Sequence, residues 1–374
     1  MNFLDRQNAI KTMNTLGAKR TPFLFISSFD NAKNIVIPLN EINPLEIAFD
    51  FNQQYDNLSS FKEVYQFNAG NLETLALSWQ HFPIDYNQYQ NAFKQLMAHL
   101  KSGEIQLANL TFPTPIECNL TLPEIFVRTH AKYRLFLKDH FCSFSPETFV
   151  TIKNGMIATY PMKGTINAGI PNAEQQLLDN PKEIDEHETV ATEALRDISL
   201  VASDAKITRF RYVDRIERGD GAILQTSSII EGALPENFHE RLGDLLYTLL
   251  PAGSITGAPR DTATKILATI EDYDRNFYSG VAGIFDGTNL DSTVLIRYLE
   301  KSQPTDDSSI NTPSDINIDS NTPSDPCALM TLKALCDEEI LFRYTFKSGG
   351  GITAMSNVES EYDELIEKIY LPIR

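Results

Sequence analysis

Apolar residues recur at helical spacing between Tyr86 and Lys101, where Phe93, Leu96, Met97 and Leu100 share one face before Ser102-Gly103 ends the run. The spacing predicts an amphipathic helix. Elsewhere the apolar runs are short and rich in β-branched and aromatic residues. Phe23 to Ile26 and Asn34 to Pro38 read as an opening strand pair, and Ile105 to Phe112 as a strand following the helix. Thr148 to Lys153 and Met156 to Tyr160 read as two more strands, joined by Asn154-Gly155, a dipeptide suited to a tight hairpin turn. Helices are predicted from about Glu183 to Val201 and after Asn237 as far as Leu249, and strands from Thr293 to Glu300 and from about Ile340 to Phe346. Many strands with few regular βαβ repeats predict an α+β fold of layered β-sheets with helices on the outer faces.

One stretch differs in kind. From Ser302 to Pro326 the residues are mostly Ser, Thr, Asn, Asp and Pro, and Asn-Thr-Pro-Ser-Asp occurs at both Asn311 and Asn321. So polar a segment cannot offset its own ordering entropy, and residues 302–326 are expected to be a disordered loop inserted between two strands. No other linker divides the chain. We expect residues 1–85 to be a short N-terminal part packed onto a main domain of residues 86–374.

The 374 residues are 42% hydrophobic, enough for a large core in a water-soluble protein. A formal net charge of −18 argues against nucleic acid as a partner, because phosphates demand a basic surface. The same charge means that an anionic substrate must be bound by local donors and cations. Cys118, Cys142, Cys327 and Cys336 show no metal-ligand or disulfide spacing. The first residues lack the basic-then-apolar pattern of a signal peptide, and no run is long and apolar enough for a membrane span. The expectation is a cytoplasmic protein with neither membrane nor nucleic acid as partner.

The candidate chemistry centres on Tyr160-Pro161-Met162-Lys163-Gly164-Thr165, with Glu147 sixteen residues upstream in Ser145-Pro146-Glu147-Thr148-Phe149. The predicted hairpin can hold an amine and a carboxylic acid over one substrate, a pairing typical of acid/base sites. Alone, Lys163 reads as a solvated surface lysine and Glu147 as a residue after a turn. Three further motifs follow in order: Leu250 to Arg260 (LPAGSITGAPR), Lys347 to Ala354 (KSGGGITA) and Glu361-Tyr362-Asp363-Glu364. Together, from about Tyr86 to Arg374, they resemble the chorismate-binding enzyme family, and within it the branch that makes 4-amino-4-deoxychorismate for para-aminobenzoate and folate.

The resemblance implies a division of labour. Lysine at position 163, where relatives that make anthranilate or isochorismate carry alanine, implies attack by its neutral amine on ring carbon C2 of chorismate with loss of the C4 hydroxyl. Ammonia then enters at C4 and expels the lysine. Glu147 is implied as the acid for the leaving hydroxyl, and its carboxylate as the group that takes up the lysine's proton. Glu186 and Glu364 match the carboxylates that hold Mg2+, a cation that prefers hard oxygen ligands; Glu183 and Glu361, three residues before each, are implied water-bridging partners. Thr165, Thr256, Arg297 and the run Gly349-Gly350-Gly351 are implied substrate contacts, Arg297 as a fork for the pyruvyl carboxylate and the glycines through their N–H groups. From spacing alone each also reads as an ordinary residue: acidic solvated helices, a flexible turn, strand-end side chains.

The match is incomplete. Thr192-Glu193-Ala194-Leu195-Arg196-Asp197 stands where the family shows Asp-Leu-x-Arg-Asn-Asp, Ile284 replaces a tyrosine after Gly283, and Gln106-Leu107 replaces Tyr-Gln. No Gly-x-Cys-x-Gly nucleophile turn is present, so ammonia is expected from a separate glutaminase subunit or from solution. Anthranilate synthase or isochorismate synthase chemistry, or a chorismate-binding paralogue without turnover, are the alternatives.

Overall fold

The computed structural model describes residues 2–67, 76–218, 221–302 and 341–373. The predicted polar loop and Cys327 and Cys336 fall largely or wholly outside them.

Two nine-stranded sheets, antiparallel at each described pairing, lie face to face. The first runs in the order Met162–Asn167, Gly221–Ala233, Met156–Thr159, Thr148–Lys153, Leu290–Val294, Val281–Phe285, Phe23–Ser27, Asn34–Pro38, with Ser203–Arg218 also pairing to Gly221–Ala233. The second runs Gly257–Ala258, Leu107–Cys118, Phe342–Thr353, Tyr298–Lys301, Phe141–Ser145, Tyr133–Leu137, Ile47–Phe51, Tyr55–Asp56, with Trp79–His81 beside Leu107–Cys118.

Alternation along the strands builds the layers. Leu24, Ile26, Ala282 and Ile284 of the first sheet pack on Phe49, Tyr133, Leu135 and Tyr298 of the second, forming the central core. The opposite side chains Phe23, Phe25, Phe285 and Leu290 pack under the helices Arg6–Ala18 and Leu242–Thr248. On the outer face of the second sheet, Leu110, Phe112 and Ile352 pack under the helices Tyr86–Lys101, Arg260–Ile270 and Val358–Glu367. The α+β layering with outer helices is as the sequence pattern predicts.

Among the described residues of 1–85, Phe23–Ser27 pairs with Val281–Phe285 in the first sheet and Ile47–Phe51 with Tyr133–Leu137 in the second. Each supplies a neighbour that a core strand would otherwise lack. The strand after the long helix runs through Pro113 and Pro115 to Cys118. Asn109 and Thr111 send their N–H groups away from the partner strand 342–353, to Thr256 O at 2.8 Å and Glu271 Oε1 at 2.9 Å. Residues 113 and 115 share that parity, so their missing N–H groups are not needed in the central ladder.

Candidate active site

The chain passes between the two sheets at two adjoining corners, and each corner carries a functional side chain. Phe141–Ser145 belongs to the second sheet and Thr148–Lys153 to the first, with Glu147 between them. Leu290–Val294 and Tyr298–Lys301 make the opposite passage, with Arg297 between them. Because Ser143 pairs with Tyr298 and Thr148 with Thr293, the corners lie side by side. The Thr293 hydroxyl ties them by donating to Glu147 O at 2.7 Å. Arg297 takes φ +50°, which a bulky residue adopts only when its surroundings dictate it. Here Phe144 N donates to Arg297 O at 3.1 Å and Leu295 N to Gly280 O at 2.8 Å, fixing the corner on both sides.

Lys163 reaches the corners from the edge of the first sheet. The register against Gly221–Ala233 shifts between Met162 and Thr165, and Gly164 at φ +84° absorbs the irregularity. A side chain at 164 would also meet Glu183 Oε2 at 2.7 Å, the movable end of a side chain, so it is the positive φ that calls for glycine. The Lys163 carbonyl accepts a hydrogen bond from the Thr226 hydroxyl. The helix Pro181–Ser199 docks behind it through His187, whose Nε2 lies 2.7 Å from Ser228 Oγ. Burial lowers the His187 pKa to about 4, which keeps the imidazole neutral.

The half-buried Lys163 ends against the other sheet. A methyl group on Gly351 would lie 2.6 Å from Lys163 Nζ. Gly349-Gly350-Gly351 is strand and not turn, paired with Thr111, Leu110 and Asn109. Pairing on the other side of this strand ends at Lys347, opposite Tyr298. The alternation that turns the Thr111 and Asn109 peptides outward does the same to Gly349 and Gly351, whose N–H and C=O groups face this open edge, whereas the Gly350 peptide is spent on the ladder to Leu110. Among the described residues, two of the three N–H groups therefore point away from the ladder to Leu107–Cys118.

Lys368, which the sequence reading did not single out, completes the edge. Its Nζ donates to Gly349 O at 2.9 Å and lies 2.6 Å from Glu364 Oε1. Its spacing of four from Glu364 on an acidic helix was the available signal. Burial lowers the Lys368 pKa, against the pull of Glu364. Burial raises that of Glu147, opposed by a hydrogen bond from Ser254 and by the positive charges of Lys163, Arg297 and Lys368. Glu147 thus shares one electrostatic neighbourhood with all three cations.

Carboxylates flank this centre from two helices. Glu183 Oε2 adjoins Gly164, and Glu361 Oε2 would be 3.6 Å from a Cβ at Gly350. Glu186 and Glu361 are buried, while Glu364 is exposed. Among the described residues no three His, Cys, Asp or Glu side chains gather into a metal cluster. The donors at hand are carboxylate oxygens, which suit a hard divalent cation, with water or substrate needed to complete a shell.

The two expected threonine contacts differ in exposure. Thr165 is exposed on the strand paired with Gln225. Thr256 is fully buried, and its hydroxyl donates to Ala252 O at 2.8 Å within its own turn, so its side chain holds the shape of that loop. Ile284 is core, as its 1% exposure requires.

An acid and an arginine on adjoining corners and a lysine beside a glycine edge lie together between the two sheets, and the chain belongs to the chorismate-binding enzyme family, whose model matches residues 39–324. It is 40% identical to a Haemophilus influenzae protein named an uncharacterized PabA-like protein, over 98% of this chain and 97% of that one. It is 27% identical to aminodeoxychorismate synthase component 1 of Escherichia coli, over 82% of this chain and 61% of that one. The fold is similar to that of the menaquinone-specific isochorismate synthase of Escherichia coli, with a TM-score of 0.62 and 14% identity over 97% of this chain and 80% of that one. Among the described residues no helix is long and apolar enough to cross a membrane.

Proposed function

We propose that this chain is the chorismate-aminating component of a 4-amino-4-deoxychorismate synthase, using ammonia delivered by a separate glutaminase subunit. The observation that carries the reading is Lys163 Nζ, brought from one sheet against Gly351 of the other, within the field that acts on Glu147. A lysine there would attack C2 of chorismate. As the C2–N bond forms, the double bonds shift and the C4–O bond breaks, with Glu147 giving its proton so that water leaves. Burial raises the Glu147 pKa, which favours the protonated acid this step needs. Ammonia then bonds to C4, the double bonds shift back, the C2–N bond to Lys163 breaks, and the proton balance is restored through the Glu147 carboxylate.

Chorismate carries two carboxylates, and the site offers cations on both sides of Glu147. Arg297 is assigned the enolpyruvyl carboxylate, and the Gly349 and Gly351 N–H groups with Thr165 the ring carboxylate. Glu186 and Glu364 are assigned to Mg2+, with Glu183 and Glu361 behind them; the ion when bound would neutralise the ring carboxylate. Soluble, cytoplasmic operation fits this chemistry.

Lys163→Arg tests the covalent role. A guanidinium keeps the charge but cannot shed its proton and attack, so amination should fall by about 100-fold or more, as with Lys163→Ala. Substantial amination by Lys163→Arg would return the lysine to a purely electrostatic role.

A further inference from the structure

Tyr370, just past the end of the helix Val358–Glu367, lies over the guanidinium of Arg297, with Cζ 5.5 Å from the ring centroid. Its neighbour Ile369 is buried, whereas Tyr370 itself is 44% exposed. The following residues are tied down, His130 N donating to Pro372 O at 2.9 Å and Ile373 bridging to Thr129. The ring is therefore presented by an anchored segment. Arg297 itself has a buried Nε with no hydrogen-bond partner among the described residues. Its corner backbone is fixed by the bonds from Phe144 and to Gly280, but those bonds do not orient the long side chain.

We propose that Tyr370 is a positioning residue for chorismate recognition: its ring covers one face of the Arg297 guanidinium and aims the fork's edge at the substrate's side-chain carboxylate. The physical basis is the attraction of a cation to an aromatic face, which grows when one side of the pair is shielded from water. A guanidinium stacked on a ring keeps its N–H donors free in its own plane, so stacking and bidentate carboxylate binding do not compete. The family tyrosine expected after Gly283 is absent, and Ile284 in its place is buried between the sheets. This inference rests on the assignment of Arg297 to the substrate carboxylate.

The test is a double-mutant cycle on the full chain, with steady-state kinetics in chorismate at saturating ammonium and Mg2+. Tyr370→Leu should raise KM by about 3- to 10-fold with kcat little changed, the range expected for a lost cation–π contact. Tyr370→Phe keeps the ring and should restore the wild-type KM. In an Arg297→Ala background, which should itself raise KM, Tyr370→Leu should add no further change. Unfolding temperatures of the variants check that the fold is intact. Wild-type KM in Tyr370→Leu alongside a raised KM in Arg297→Ala would overturn the positioning role. So would a Tyr370→Leu effect that persists in full without Arg297, or one that Tyr370→Phe fails to restore. A wild-type KM in Arg297→Ala would instead overturn the assignment of Arg297 on which the inference rests.

Discussion

Replacing the three consecutive glycines one at a time by alanine should give three different outcomes, although the sequence presents them as equivalents. At Gly351 the new methyl would stand 2.6 Å from Lys163 Nζ, whereas ordinary contact begins at 3.4 Å, so the amine must withdraw by about 0.8 Å. The atom displaced is the end of a flexible side chain, so stability should change little. Catalysis should not escape: a misplacement near 1 Å costs on the order of 100-fold, or about 2.7 kcal/mol of transition-state stabilisation. At Gly349 the methyl would meet the Leu110 carbonyl oxygen at 2.6 Å and the Thr111 side chain, and backbone cannot step aside. That variant should lose about 1–3 kcal/mol of stability. At Gly350 the nearest atoms are Glu361 Oε2 at 3.6 Å and Lys368 Nζ at 3.7 Å, both ordinary contacts. Its peptide serves the ladder, so amination should stay within about threefold, less than ~0.7 kcal/mol. Initial rates of chorismate amination and thermal unfolding, measured on all three variants, separate the cases. A Gly351→Ala enzyme with wild-type kcat/KM would refute the placement of the lysine against this strand.

Two further predictions concern charge. Glu186→Gln and Glu364→Gln should each weaken Mg2+ and chorismate binding together, and calorimetric titration showing unchanged Mg2+ binding would remove that residue as a ligand. His187 is held neutral with a pKa of about 4 against an ordinary 6.5. A base with a depressed folded-state pKa contributes stability that is present above pH 6.5 and is lost as pH falls from there toward 4, here roughly 3 kcal/mol at most. Urea unfolding across that window should show a shallower pH slope in His187→Gln than in the wild-type protein, and equal slopes would contradict the burial argument.

The parts of this molecule legible in the sequence are those encoded locally. The helix Tyr86–Lys101 occurs where its apolar spacing and Ser102-Gly103 place it, and the hairpin turns at Asn154-Gly155, both at positive φ. The strand through Pro113 and Pro115 was hidden because proline normally ends a strand, and only the neighbour's register shows that these positions need no donor. The glycine run reads as a loop for the same reason: its strand character comes from Leu107–Cys118 lying alongside. In the candidate site, Glu147 and Lys163 stand in motifs legible in the sequence and Arg297 at the end of an apolar run, but nothing local encodes that two corners of the chain adjoin. Nor does it encode that Thr256 turns its hydroxyl inward, or that Lys368 and Tyr370 come up beside Glu364 and Arg297.

The choice of reaction is decided by mass-spectrometric identification of the product from chorismate, Mg2+ and an ammonium salt with the purified chain. The expected product is 4-amino-4-deoxychorismate, formed only when ammonium is present and abolished in Lys163→Ala. Anthranilate as the product, or isochorismate formed without ammonium, would contradict it.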